Sequence, residues 1–379
     1  MARQGRIADR MKLLDASGIR KVFDLAAKLK DPINLSIGQP DFDVPEPIKA
    51  EACAAIRRGE NKYTQTQGSL ALREAVAAAC CQEFGWHDPY HGAVFGDRGY
   101  LIASGTSGAL VLAFLVLINP GDEVILLDPY FVMYKHLVNL AGGKPVMVDT
   151  YPDFSPDPEK IESAITPRTS LLVINSPCNP SGRSYSAEEL KAIADVAARH
   201  NLLVIADEVY NLFCYDLPFA SMVAAYDNTL LLRGFSKSYA MTGWRLGWCT
   251  GPAEIIDKMT MLQQYSFVCA PSMAQAAGVV ALGCDVSAHA AAYKRKRDMV
   301  YEALAEPFGL SKPQGAFYAF VPAPKGTTGT EFVSRAVENN VLIIPGHVFS
   351  ERDTHFRLSY ATSDEKLTQG LEILVRLAR

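Results

Sequence analysis

The 379-residue sequence predicts an α/β fold: a mainly parallel sheet covered by helices, with a smaller α+β body assembled from both chain ends. Three observations predict it. Short, continuous apolar runs recur in the middle of the chain and stop at polar residues. Helical patterns fill the spaces between them. The two ends read differently, with brief strands set among helices. On this reading, 1–40 begins the small body, 41–288 forms the large one and 289–379 completes the small one.

Taken in order, Asn34 to Ile37 reads as a short strand entering Gly38-Gln39-Pro40-Asp41-Phe42. Leu101-Ile102-Ala103 ends at Ser104-Gly105-Thr106-Ser107-Gly108, and Ala109 to Ile118 follows as a buried helix. Val124 to Leu127 ends at Asp128-Pro129, Leu171 to Ile174 at Asn175-Ser176-Pro177, Leu202 to Ala206 at Asp207-Glu208, and Leu230 to Leu232 at Arg233-Gly234. Such unbroken apolar runs suit strands buried on both faces. Ser186 with Glu189 makes a capping box that opens a helix. Leu190, Ile193, Ala194 and Ala197 share one face of it, and it fades at His200-Asn201. Strands alternating with helices require parallel pairing. A long helix from about Asp285 to Leu304 bridges to the C-terminal part, with the boundary near Cys284 to Ala292. Beyond it come strands at Ala316 to Val321, Val341 to Ile344 and His355 to Tyr360, and helices at Thr330 to Asn339 and Asp364 to Leu377.

An apolar fraction of 49% and a charged fraction of 21% are those of an ordinary globular protein. Net charge is -4, and the single basic run, Lys294-Arg295-Lys296-Arg297, reads as a solvated helix face. Nucleic acid is therefore not an expected partner. The eight cysteines form no C-x-x-C pair, and adjacent Cys80 and Cys81 suit reduced thiols in the cytoplasm. His87 and His91 are four apart, but Pro89 lies between them and no glutamate follows His87, so no zinc helix is expected there and a surface loop is. The polar start Met1 to Arg6 has no apolar stretch behind it, so no secretory leader is expected. The longest apolar run, Ala109 to Ile118, falls short of the ~20 residues a bilayer requires.

The chemistry gathers at strand ends. Lys237 stands in Gly234-Phe235-Ser236-Lys237-Ser238-Tyr239-Ala240-Met241-Thr242-Gly243-Trp244-Arg245. A lysine amine condenses with a carbonyl, and an arginine fork grips a phosphate, so Lys237 and Arg245 together suit a phosphorylated aldehyde. Gly105, Thr106 and Ser107 lead from a strand into a helix, where small residues and free N–H groups make an anion cup. A plain strand-to-helix turn reads the same residues equally well. Asp207 closes an apolar strand and requires a cationic partner if buried, or else serves as a helix cap. Arg357 alternates with apolar residues in Phe356-Arg357-Leu358, where an inward guanidinium can clamp a carboxylate with two bonds. Asn175 to Gly182 reads by itself as a turn.

With these motifs in this order, the chain from about Ser17 to Arg376 resembles the class I pyridoxal-phosphate aminotransferases. Ser17-Gly18-Ile19-Arg20-Lys21 and Asn175-Ser176-Pro177-Cys178-Asn179 resemble the prokaryotic aromatic-acid and aspartate enzymes in particular. The resemblance implies pyridoxal 5'-phosphate as cofactor, with Lys237 its attachment point and proton carrier. It implies that Asp207 pairs with the pyridine nitrogen, that Tyr210 and Asn179 bond the ring oxygen, and that Phe131 stacks on the ring, with Tyr130 a rival for that place. Asn179 and Arg357 would hold the substrate carboxylate and Gly38 would close over it. Tyr63 would reach the phosphate from a neighbouring subunit, making a homodimer with shared sites. Many relatives carry serine where this chain has Gly234, and Ser236 or Ser107 would compensate. A basic residue near the cup that selects dicarboxylates in some relatives is absent, since Thr106 and Ser107 stand there.

The expected activity is transfer of an amino group between an L-amino acid, aromatic, aspartate or similar, and a 2-oxo acid such as 2-oxoglutarate. The alternatives are a carbon-sulfur β-lyase on the same fold and a non-catalytic cofactor-binding regulator.

Overall fold

The computed structural model describes residues 7–14, 29–86, 94–95 and 98–379. Met1 to Arg6, the Ser17 to Lys21 motif and the His87/His91 pair lie outside the described residues. The strands in chain order are β1 (Ile33–Asn34), β2 (Val94–Phe95), β3 (Arg98–Ser104), β4 (Glu123–Asp128), β5 (Lys144–Asp149), β6 (Thr169–Asn175), β7 (Leu203–Asp207), β8 (Thr229–Gly234), β9 (Leu246–Pro252), β10 (Tyr318–Pro322), β11 (Val341–Leu342), β12 (Ile344–Pro345) and β13 (His355–Ser359). Eight strands form one sheet in the order β2-β3-β9-β8-β7-β6-β4-β5. Every pairing from β8 to β5 is parallel. β9 runs antiparallel to both of its neighbours. This is the mainly parallel α/β sheet that the sequence predicts.

Strand β4 shows why the pattern is apolar without alternation. All six of its residues are buried. Val124 and Leu126 pack into the layer that holds Leu110 and Phe114 of helix Gly105–Leu117. Ile125 and Leu127 pack into the opposite layer with Leu72 and Ile193. Each such side chain contributes about 1.5–3 kcal/mol by leaving water. The capping box at Ser186 forms as expected, and its helix spans Ala187–Arg199.

A second body uses both ends of the chain. β1 pairs in parallel with β11, and β10, β13 and β12 form an antiparallel sheet. Leu35 shares a core with Val341, Leu358 and Leu374. The bridging helix, Ser287–Phe308, adds Tyr293, Val300 and Leu304 to that core.

Three expectations need correction. The strand expected over Asn34 to Ile37 shrinks to β1, because the Asn34 side chain accepts from Ser36 N at 3.1 Å and Ser36 Oγ at 2.7 Å. Such a local side-chain turn competes with the ladder. The run Val341 to Ile344 splits, since β11 bonds to β1 whereas β12 bonds to β13. The basic run is not wholly solvated. Helical rotation carries Lys296 and Arg297 round to the packed side with Tyr293 and Val300. There Lys296 pairs with Asp41, and Arg297 bonds Asp216 at 2.7 Å.

Strands β5 and β9 have no counterpart in the sequence reading. Gly247 and Gly251 interrupt the apolar pattern of β9. All eight cysteines are free thiols. Among the described residues, no cluster of His, Cys, Asp and Glu could hold a metal ion, and no helix is long and apolar enough to cross a membrane.

Candidate active site

In an open α/β sheet, crevices form beyond the carboxyl ends of the strands. Here a cavity of about 320 Å³ lies there. β7 delivers Asp207 to it, the loop after β8 delivers Ser236 and Lys237, and the helix after β3 delivers Thr106 and Ser107. β13, from the other sheet, delivers Arg357.

Asp207 is only 4% exposed. Its carboxylate accepts from Tyr134 Oη at 2.7 Å and from Val209 N at 3.3 Å. Burial pushes its pKa up, against the pull of those two bonds and of the Lys237 charge. Among the described residues, no cation lies within ion-pair distance of it. Asn175, its register partner on β6, donates to the Asp207 carbonyl at 2.9 Å. The Asn175 side-chain oxygen also accepts from Asn179 N at 2.9 Å. One asparagine thus ties the 175–182 turn to the end of β7.

Lys237 Nζ donates to the Gly38 carbonyl at 2.6 Å. Desolvation, reinforced by the nearby Arg357 and Arg245 charges, pulls the amine down to about 8, with Asp207 opposing. A group tuned in this way is a neutral nucleophile for a useful part of the time. Arg357 is 1% exposed. It donates to Asn179 Oδ1 at 3.0 Å and to the Ser36 carbonyl at 2.7 Å. The rings of Tyr318 and Phe349 hold it, each 4.6 Å from the guanidinium carbon. Its Nε is buried with no hydrogen-bond partner. A buried guanidinium with no carboxylate in ion-pair range among the described residues, opening on a cavity, is suited to receive an anion.

Arg245 sits in the left-handed region at φ 54 and ψ 51, closing the turn Thr242–Trp244. It bonds the Thr242 carbonyl at 2.9 Å and faces Gly105. Gly105 has φ +70, and a Cβ there would come within 2.7 Å of Arg245 Nη2, so glycine is required on both counts. The helix it opens has no side-chain cap and no acidic residue in its first turn, which leaves N–H groups for an anion. A Cβ on Gly234 would lie 2.6 Å from Thr106 Oγ1. Thr106 therefore occupies the space that a side chain at 234 would need.

Phe131 and Tyr210 line the cavity. Tyr130 does not; its hydroxyl donates to Glu351 at 2.8 Å. Tyr63 stands apart, 83% exposed, in a separate cleft beside Arg58 and Lys62. The sequence reading missed Tyr134, Tyr318 and the bracing role of Asn175. Asn175 carried a signal, since it ends a strand beside Asp207's strand. The two tyrosines resemble core aromatics and show their function only through tertiary pairing.

These residues fit pyridoxal phosphate. A buried carboxylate without a cation, an amine pulled down to about 8, and an arginine beside an uncapped helix start match a pyridinium, an aldehyde and a phosphate. Fold and site together define a pyridoxal-phosphate enzyme of the α/β type. Residues 30–374 match the family model of aminotransferase class I and II, and the chain belongs to that family. It is 37% identical to a probable aspartate aminotransferase of Methanocaldococcus jannaschii, covering 97% of this chain and 98% of that one. It is 36% identical to aromatic-amino-acid aminotransferase 2 of Thermococcus litoralis, covering 98% of each. The solved structure of the Thermus thermophilus aspartate aminotransferase with maleate superposes with a TM-score of 0.91 at 36% identity, covering 99% of this chain and 100% of that one. The protein is a pyridoxal-phosphate-dependent aminotransferase, and the lyase and regulator alternatives are not favoured.

Two predictions follow from the geometry. With the cofactor removed, condensation of Lys237 with an aldehyde should speed up to about pH 8 and then level off. A lysine at its ordinary 10.5 would instead gain about tenfold per pH unit beyond that point. Borohydride trapping and peptide mapping would follow the rate, and Lys237→Ala should take up no label. Gly234→Ser should loosen the cofactor, because its side chain meets Thr106. Adding Thr106→Gly should recover part of the lost retention, the new serine hydroxyl standing in for that of Thr106, measured by equilibrium dialysis of the cofactor.

Proposed function

We propose that this aminotransferase acts on L-amino acids with aromatic or other neutral side chains, using a homodimer with shared sites. The observation that carries the reading is the convergence of Asp207 from β7, Lys237 and Arg245 from the β8–β9 connection, and Arg357 from β13 on one cavity. The cavity-lining cations are Lys237, Arg245 and Arg357. Each has a task, so a second substrate carboxylate finds no cation among the described residues of the same chain. The neighbouring relatives include both aspartate and aromatic enzymes by name.

When bound, the cofactor supplies a carbonyl that takes up amines and a protonated ring that draws electrons from the substrate α-carbon. Asp207 holds the ring nitrogen's proton, and Tyr134 keeps Asp207 aimed. Phe131 covers one ring face, and Tyr210 and Asn179 hydrogen-bond the ring oxygen. Arg245, Gly105, Thr106, Ser107 and Ser236 hold the phosphate. Arg357 and Asn179 fix the substrate carboxylate, and Gly38 closes over it. Lys237 Nζ would take the proton from the substrate α-carbon and deliver it to the carbon that enters as the cofactor's aldehyde carbon, a role suited to an amine near pH 8.

We assign 1–40 and 289–379 to the small body and 41–288 to the large one, so that Arg357 and Lys237 come from different bodies. Free thiols and the shared chemistry of the family support a cytoplasmic setting. The substrates are the partners we expect, with no nucleic acid and no membrane.

A panel of donors against 2-oxoglutarate tests the specificity. Phenylalanine and tyrosine should exceed aspartate in kcat/KM, and a preference for aspartate would reject the reading. In the same panel Arg357→Ala should lower kcat/KM for every amino acid by about 10- to 150-fold, the cost of a lost charge-assisted bond. A simple amine without a carboxylate should lose far less.

The exposed Tyr63 suits a residue that completes the partner's phosphate site. Mixing Lys237→Ala subunits with subunits inactivated at Tyr63 should recover activity, since one hybrid site receives both intact residues. A fully active monomer in sedimentation would defeat this.

A further inference from the structure

Tyr318, which no sequence motif singled out, touches three of the site positions at once. It lies on β10 and is 1% exposed. Its direct partner on β13 is Ser359, so Arg357 is the diagonal neighbour two residues away on the same face of the sheet. That placement lays the Tyr318 ring against the guanidinium at 4.6 Å. At the other end, its hydroxyl lies 3.0 Å from the Tyr210 hydroxyl. The two rings meet edge to face, with centroids 5.7 Å apart, which fixes the hydroxyl pair in place. The same oxygen sets the approach of the closing loop. A Cβ on Gly38 would lie only 2.5 Å from Tyr318 Oη, and the Gly38 carbonyl accepts from Lys237.

We propose that Tyr318 is a positioning residue with two separable tasks: its ring face holds Arg357 for the substrate carboxylate, and its hydroxyl aims the Tyr210 hydroxyl at the cofactor ring. This rests on the reading above in which Tyr210 bonds the ring oxygen. The hydroxyl pair is buried, and chained hydrogen bonds polarise one another in such surroundings. Either hydroxyl of the pair can donate; with Tyr210 donating to the ring oxygen, Tyr318 is left to donate to Tyr210, which makes Tyr210 the better donor. A donor to that oxygen favours its deprotonated form. The ionisable groups around Tyr318 are Tyr210, Arg357, Tyr293 and Tyr360. The three tyrosines are held well above their ordinary range, chiefly by burial, so none titrates in the working range.

The test uses the holoenzyme without substrate and reads two quantities. One is the pH midpoint of the change in the cofactor's visible absorbance. The other is the Kd of 3-phenylpropionate, an unreactive carboxylate, read from its effect on that absorbance. Tyr318→Phe removes one oxygen and keeps the ring. It should raise the midpoint by roughly half a pH unit, in the same direction as Tyr210→Phe but less far. Its Kd for 3-phenylpropionate should stay within about threefold of the unmodified enzyme, whereas Tyr318→Leu should weaken it about tenfold by unseating Arg357. The double variant Tyr210→Phe/Tyr318→Phe should match Tyr210→Phe alone, because the hydroxyl acts through Tyr210. A Tyr318→Phe midpoint equal to that of the unmodified enzyme overturns the proposal, and so does a double variant displaced further than Tyr210→Phe. Should Tyr318→Leu fail to fold, the phenylalanine variants decide the hydroxyl's task by themselves. The absence of any pH-dependent visible band in the unmodified enzyme would overturn the cofactor assignment as well, and is thereby distinguishable.

Discussion

Burial of the Asp207 carboxylate at the end of β7 is the constraint around which the site is organised. A carboxylate taken out of water costs several kcal/mol unless it is paired. Tyr134 and the Val209 amide offset part of that cost, and burial still drives the proton affinity up. The arrangement makes sense for a group whose counter-ion is the protonated ring of a ligand. It also dictates its neighbours. β6 and β8 must flank β7 in parallel so that Asn175 and the Lys237 loop reach the same end of the sheet. On the opposite face, the next residue, Glu208, meets Arg233 from β8 at 2.8 Å and Ser221 at 2.7 Å. That buried pair fastens the two strands which carry Asp207 and Lys237, while leaving the cavity side free of its charge.

The second sheet answers the first. Arg357 comes from β13, and its support comes from Tyr318 on β10 and from Phe349. The link between the two bodies is the segment after β1. Its Ser36 carbonyl accepts from Arg357, and its Gly38 carbonyl accepts from Lys237. Asp41, a few residues on, is held by Lys296 and by Tyr293 at 2.9 Å on the bridging helix. A short irregular stretch thus touches Arg357, Lys237 and the bridging helix within six residues, 36–41.

Much of this was legible in the chain because the chemistry sits at strand ends, where apolar runs break into polar residues. Asp207, the Asn175 to Gly182 turn and the Gly105 cup are all such breaks. Lys237 and Arg245 were legible as a compact local motif. What escaped had no local signature. Tyr134 lies on a helix and Tyr318 within an aromatic-rich strand, where either reads as core until its hydroxyl is seen against Asp207 or Tyr210. β9 was missed because its glycines break the apolar pattern, although one of them, Gly247, lets the strand pass beneath the anion cup. The basic run misled for the opposite reason. Charge counted along the sequence carries no information about rotation around a helix, and Arg297 is fully buried while Arg295 is exposed.

The charges in the cavity bear on the neutral substrate side chain proposed above. Arg245, Arg357 and Lys237 oppose Asp207, an excess of two positive charges while the lysine is protonated. A phosphate near -2, a pyridinium and one substrate carboxylate sum to about -2, which matches. With Lys237 pulled down to about 8, the balance can pass through a neutral amine without leaving a strong charge stranded, and that is what a proton carrier requires. A second carboxylate on the substrate would add a negative charge with no partner among the described residues of this chain, in surroundings where unpaired charge is costly. Thr106 and Ser107 line the cavity and offer hydroxyls rather than charge. Thr106 also fills the space left by Gly234. One short turn therefore bears on both the proposed hold on the cofactor and the proposed choice of substrate charge.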